Sequence, residues 1–448
     1  MTHSPLTFDH SPMLLYSTQI SPRLTYISAL IGQELFKHDI QVTTNQDAFK
    51  NYNGPKINYG SEVVSESEFR IARVDLLFEK NIKSLPIVCF YTQGYKAFFQ
   101  TSSGDFSFDI FAASFYLLSR YEEYLEHKKD RYGRYSHISS LAHKEDFLHL
   151  PLINIWLQDL KKALAKKYEG IQFNTNPFFY LPTYDIDIAF SYLNKGWWRN
   201  FGGFASSFIK GQWNDLTERA KVLLRKTSDP FDSYAWLDNL HSHCQVTALY
   251  FFLVAEKQKQ YDKNISPSAP ALQQLIRHYA NHYKIGIHPS WQSGDNEDLL
   301  EKEIKLLENI AEKKIKDSRQ HYLRFTLPQT YRKLIDAGIE KDYSMGYGTI
   351  NGFRASIASS FYWYDLEKEE TTSLGIYPFC FMDANAYFQQ KLTPQQAFEE
   401  LESYFHSIKA VNGLMITLWH NHFLGTDRTF NGWREIYEKF LTVILISV

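Results

Sequence analysis

The chain has 448 residues, 44% hydrophobic and 16% aromatic, which is ample for packed cores and excludes a disordered chain. That length exceeds one ordinary core, so two domains are expected. A net charge of -2 gives no overall field for nucleic acid or an anionic membrane, so neither is expected as a partner.

In chain order, residues 1–10 lack a basic region followed by an apolar run, so no secretory signal is expected. No stretch is long and apolar enough to span a bilayer, and a cytoplasmic protein is the simplest expectation. Residues 87–91 read as a strand closed by the Gln93-Gly94 turn. Residues 108–124 carry apolar side chains at helical spacing, 128–135 form a charged connector, and 151–165 form another helix. The cluster at 174–177 breaks the pattern. A boundary near 175 therefore separates an N-terminal α/β domain of unassigned role, 1–175, from a second domain, 176–448.

Beyond the boundary, strand-like runs alternate with helices. Strands are expected at 179–186, 247–254, 284–288, 322–325, 375–379 and 414–419. Helices are expected up to about Arg225 and over 272–283, 298–315 and 328–337, and the apolar stretch 440–448 reads as a closing strand or helix end. Alternation of this kind implies a parallel sheet or barrel, with chemistry at the carboxyl ends of the strands.

The polar residues fall at those ends. Asp185 and Asp187 lie two apart on an apolar strand, so they share one face while Tyr184, Ile186 and Ile188 take the other. Two adjacent carboxylates need a cation or a shared proton, which suits a metal ligand beside a general base. The plainer alternative is a pair of solvated aspartates. His288 ends its strand as a ligand candidate, and Ser293 or a water can complete the shell. Arg319 and His321 form either a surface charge cluster or a group in which the arginine holds a carboxylate ionised. Asp342 is a turn residue or an orienting group; Arg354 and Asp383 carry the same ambiguity as pairing groups. His420 and His422 follow an apolar strand, where a histidine can protonate a leaving amine. His241 and His243 read as charge complements to a helix C-terminus. Cys89, Cys244 and Cys380 stand far apart and give neither a disulfide framework nor a thiolate zinc site. The aromatic excess fits a protein that stacks sugars, although most of these rings must be core.

With these residues in view, the chain resembles the NodB-type polysaccharide deacetylases, in the two-domain, Bacteroidota-like variant with an uncharacterised N-terminal domain. Thr183-Tyr-Asp-Ile-Asp187 resembles the first motif and Leu418-Trp-His420 the fifth. The stretches 288–293, 319–322 and 342–347 resemble the second, third and fourth. The resemblance implies a deformed (β/α)7 barrel preceded by a smaller α/β domain. It implies Asp185 as base, His420 as acid, Arg319 orienting the base, and a divalent metal, zinc first, on Asp187 and His288. The second motif departs from the pattern: Gln292 stands where a second histidine ligand belongs, leaving the third ligand open. Trp291, His321, His422, Asp342, Arg354 and Asp383 are carried as substrate-binding or orienting residues. A carbohydrate substrate follows, losing an N-acetyl or O-acetyl group. Two alternatives stand beside this: a glycoside hydrolase using Asp185 and Asp187, and a sugar-binding or assembly protein whose second motif has decayed.

Overall fold

The computed structural model describes residues 11–195 and 213–444. Short apolar runs near the N-terminus build a four-stranded parallel sheet from β1 (Leu14–Tyr16), β2 (Gln41–Thr43), β3 (Lys56–Tyr59) and β4 (Phe69–Ile71), in the order β2-β1-β3-β4. The helix Pro22–Phe36 crosses from β1 to β2; Ser21 caps it by accepting from the Leu24 amide, and Pro22 occupies a first-turn position that needs no amide. The strand expected at 87–91 lies slightly later, as β5 (Phe90–Thr92), hairpinned to β6 (Tyr95–Ala97). Gln93 and Gly94 both take positive φ, the geometry a two-residue hairpin turn requires. The helix expected over 108–124 covers only Ile110–Leu118, because Arg120 turns left-handed (φ 54°) and starts a separate 3-10 turn. Leu152–Lys167 forms the next helix.

The second sheet carries the site. Its strands are β7 (Phe179–Ile186), β8 (Leu249–Phe252), β9 (Lys284–Ile287), β10 (Asp317–Ser318), β11 (Lys341–Asp342), β12 (Phe361–Asp365), β13 (Glu370–Ile376), β14 (Phe381–Met382) and β15 (Leu414–His420). They run in the order β12-β13-β11-β10-β9-β8-β7-β15-β14, parallel throughout except for the β12–β13 hairpin. Pro182 sits inside β7 at no cost to the ladder. It pairs with Thr417 of β15, and β8 begins pairing only at Thr183, so no partner awaits the missing amide.

A seven-stranded barrel is therefore replaced by nine strands in an open order. Among the described residues no pairing joins the edge strands β12 and β14. The sheet still curls, because Leu249 and Phe251 of β8 meet Tyr343, Phe379, Ile416 and Leu418 in one apolar cluster on its inner face. The strand expected at 322–325 is not one. The pairing segment is β10, and the chain then turns sharply through Tyr322 and Leu323, both at positive φ. Of the helix expected up to Arg225, Trp213–Leu223 is present, while 196–212 lie outside the described residues. Phe440–Ile444 continues the last helix as a π turn.

The main apolar core runs without a break from Met13 to Leu441, across the boundary expected near 175. A buried polar joint reinforces it. Glu123 accepts from Arg120 Nε (2.7 Å) and from Arg354 Nε (2.9 Å) and Nη2 (2.6 Å). Arg354 Nη1 donates to the Gly346 carbonyl, and Arg120 donates to the Arg354 carbonyl. Burial opposes the charge on Glu123, but the two guanidiniums outweigh it and hold the carboxyl at about 2. No helix among the described residues is long and apolar enough to cross a membrane.

Candidate functional site

The ends of β7, β9, β10, β14 and β15 converge on a cavity of about 570 Å³ whose lining includes Asp185, Asp187, His288, His321, His420 and His422. Parallel strands point their carboxyl ends the same way, so residues distant in sequence meet at one rim. The β7 pleat turns Tyr184 into the core against Tyr250 (ring centroids 4.7 Å) and Asp185 into the cavity. Asp187 follows one residue after the strand, where the chain leaves the pleat. Ile188 consequently lines the cavity too, instead of taking the opposite face.

Each site side chain is held from behind. Arg319 Nη1 donates to Asp185 Oδ1 at 3.0 Å, while its Nε donates to the Tyr343 carbonyl. The guanidinium lies 4.5 Å from the Phe251 ring centroid and is fully buried. His288 donates from Nδ1 to the Arg319 carbonyl. His321 donates from Nδ1 to Asp262 Oδ1 at 3.0 Å. Both imidazoles thereby keep a lone pair on Nε2, and both turn it toward Asp187: 3.0 Å from His288 Nε2 to Oδ1, 3.6 Å from His321 Nε2 to Oδ2.

That arrangement is electrostatically incomplete. Asp187 Oδ1 is buried without a hydrogen-bond donor, facing a nitrogen whose proton sits on the far side of its ring. Acceptors so close repel unless positive charge stands between them. In the protein alone a proton supplies it. Burial pushes His321 down, but Asp187 and Asp262 outweigh burial and raise it to about 9. Burial pushes the Asp187 carboxyl up, but His321 and His288 hold it well below the carboxylate range. A divalent cation meets the same need with more charge. The Asp187, His288 and His321 ligand atoms all lie within 4.8 Å of one another, and one carboxylate with two imidazoles is a donor set that suits zinc.

His420 approaches the same Asp187 oxygen as His321, with Nε2 at 3.6 Å from Oδ2. Its Nδ1 donates to Asp383 Oδ1 at 2.6 Å and its amide to Oδ2 at 2.7 Å. Burial lowers its pKa, but the Asp383 carboxylate dominates and raises it to about 9. His422 lies 5.4 Å from it, ring to ring; burial, and then the His420 charge, keep it neutral down to about 3.

Several expected residues lie elsewhere. Ser293 closes a turn, donating to the Ser290 carbonyl at 2.9 Å, and does not line the cavity. Asp342 is buried beneath the rim, accepting from the Ser318 and Ser344 hydroxyls. Arg354 pairs with Glu123 in the polar joint, outside the cavity. Trp291 stands behind the wall, stacked on Tyr261 at 4.1 Å. His241 is no helix-end charge: it is 2% exposed, receives the Tyr184 hydroxyl at 2.7 Å, and burial lowers its pKa to about 4. Sequence reasoning overlooked Asp262, a buried loop carboxylate that also accepts from the Trp291 amide and from Gln292 Nε2. Gln292 thus braces the group that orients His321.

Residues 13–169 match a model of a family of unknown function, DUF7033. No curated protein matches the sequence. Among solved structures, the chain is similar to a Mycobacterium smegmatis protein assigned as a polysaccharide deacetylase, at 13% identity over 61% of this chain and 86% of that one, with a TM-score of 0.39. It is similar to Puue allantoinase at 10% identity over 61% and 87%, with a TM-score of 0.38. For the polysaccharide deacetylase Bc1974 from Bacillus cereus the values are 10%, 58%, 86% and 0.30.

Proposed function

We propose that this protein is a metal-dependent hydrolase that removes an acetyl group from a carbohydrate, an N-acetyl group foremost. The observation that carries this reading is the orphaned Asp187 Oδ1 facing His288 Nε2, with His321 Nε2 turned to Oδ2 of the same carboxylate and the two rings fixed from behind by the Arg319 carbonyl and Asp262. Asp187, His288 and His321 are the residues that hold a divalent ion, zinc first. When bound, such an ion supplies Lewis acidity, polarising an acyl carbonyl and acidifying water.

The remaining groups divide the proton traffic. Asp185, kept oriented by Arg319, is the base that takes a proton from the attacking water. His420 is the acid that returns one to the leaving amine. Its raised pKa keeps it charged at neutral pH, and Asp383 fixes Nε2 toward the cavity. The glycosidase alternative fares worse, because it needs a protonated carboxyl. Asp185 is ion-paired to Arg319, and Asp187 is held far below the usual range.

Metal analysis of the purified protein, followed by acetate release from acetylated sugars with and without a chelator, tests the reading. One divalent ion per chain and chelator-sensitive release are expected. Acetate release that survives removal of the metal overturns it.

A further inference from the structure

Three cations stand at the mouth of the cavity: Arg131, Lys263 and Lys391, each exposed and each from a different part of the chain. Arg131 belongs to the connector that precedes the helix Leu152–Lys167, Lys263 to the loop after β8, and Lys391 to the turn after the π-helical segment Asn385–Gln389, where it takes a left-handed φ of 59°. The carboxylates in the lining are Asp185 and Asp187, both at the floor and both engaged by positive or ligand groups. Asp130, adjacent to the mouth, is committed: Oδ2 accepts from Arg134 Nε at 2.7 Å, and Oδ1 accepts from the Tyr132 and Arg134 amides. The whole chain carries -2, so this positive charge is a local property of the mouth.

The route from floor to mouth is aromatic. The Tyr322 ring lies 4.7 Å from His321, Tyr132 lies 5.3 Å from Tyr322, and the Arg131 guanidinium lies 4.7 Å from the Tyr132 ring. Tyr261 completes the wall, 5.3 Å from Tyr322. Tyr322 holds its place in a left-handed conformation (φ 58°, ψ 13°), uncommon for an aromatic residue and characteristic of functional sites. The connector is tied down. Arg134 donates to the Tyr322 and Gly348 carbonyls, and a Cβ at Gly348 would collide with the Arg134 guanidinium. A volume of about 570 Å³ also exceeds what a single ring needs, since pockets of about 300–1,000 Å³ hold drug-sized ligands.

We propose that the substrate of this site is an acetylated sugar carrying a negative charge, a phosphoryl ester or a ring carboxylate. Arg131 and Lys391 receive the anion at the mouth while the sugar ring lies on Tyr132, Tyr261 and Tyr322. The acetyl end of this assignment rests on the hydrolase reading above; the anionic end rests on the charges of the mouth alone.

Full-length, zinc-loaded protein offered an N-acetylhexosamine 1-phosphate, an N-acetylhexosaminuronate and a neutral N-acetylhexosamine disaccharide tests it, by calorimetric binding and by acetate release. The expected preference is about tenfold or more for an anionic sugar at low salt, shrinking as salt rises. Whichever anion wins separates phosphoryl from carboxylate. The double variants Arg131→Gln/Lys391→Gln and Arg131→Glu/Lys391→Glu should reduce and then abolish the ratio of anionic to neutral affinity, chiefly through KM. Equal affinity for the neutral disaccharide, or a preference that survives charge reversal, overturns the proposal. Salt-sensitive binding of the sugar phosphate that Arg131→Glu/Lys391→Glu removes, with no acetate released from any compound, upholds the anion site and sinks the hydrolase reading instead.

Discussion

His321 and His420 are built alike, and both reach Asp187. Each donates Nδ1–H to a buried aspartate, Asp262 or Asp383, and each brings Nε2 to 3.6 Å from Asp187 Oδ2. Each also has its pKa raised to about 9 by those carboxylates against the pull of burial. The difference lies in the third neighbour. Beside His321 stands His288, with its own lone pair aimed at the free oxygen of Asp187; beside His420 stands the carboxylate of Asp185. Each side gathers three ligand atoms within 4.8 Å, Asp187, His288 and His321 on one and Asp185, Asp187 and His420 on the other, and the proposal above gives the cation to the side with two imidazoles. On the proposed reading, the same buried aspartate behind a ring serves a ligand in one case and an acid in the other, according to what faces the ring.

The sharpest way to break this comparison is to remove each histidine in turn. His321→Ala, like His288→Ala or Asp187→Ala, should lose both metal and activity, read by elemental analysis and acetate release. His420→Ala should keep its metal while kcat falls about 10²–10⁴-fold. If His420→Ala empties the site as His321→Ala does, the division of roles is wrong. A step smaller, Asp262→Asn should weaken metal affinity about 10–100-fold, measured by competition with a chromogenic chelator, and Asp383→Asn should leave it in place. Asp383→Asn should instead move the pH profile. Protonated His420 persists until pH rises through about 9, so wild-type activity should fall only above that point. Without the Asp383 charge, the alkaline fall should shift down toward about 7. An alkaline limb unmoved by Asp383→Asn would assign the acid role to another group. The smallest effect concerns the mouth: Tyr132→Ala should raise KM several-fold and leave metal content intact.

The sequence made the residues at long strands easier to read than those at short strands and loops. Asp185, Asp187, His288 and His420 each cap or follow a recognisable apolar strand, so period-two alternation and strand-end position were enough to mark them. His321, the third ligand of the proposal, reads in the sequence only as a substrate-binding or orienting residue because β10 is two residues long, too short for any pattern. The turn that presents His321 also uses Tyr322 and Leu323 at positive φ, where glycine would have flagged it. Asp262 sits in a loop with no periodicity, and its meaning depends on folding against Gln292 and Trp291. The nine-strand order was illegible for the same reason: β10, β11 and β14 are two-residue strands defined by their neighbours. Arg354 was read as a pairing group, but its partner, Glu123, lies 231 positions away.

That partnership has a consequence for anyone who would dissect the chain. Glu123 is the shared counter-ion of Arg120, from its own region, and Arg354, from the region that bears the site. Severing the polypeptide near 175 would strand a dehydrated guanidinium against the Phe325 ring with nothing to neutralise it. The half that bears the site is thus no transplantable module, and amputation of the first 175 residues should yield insoluble protein.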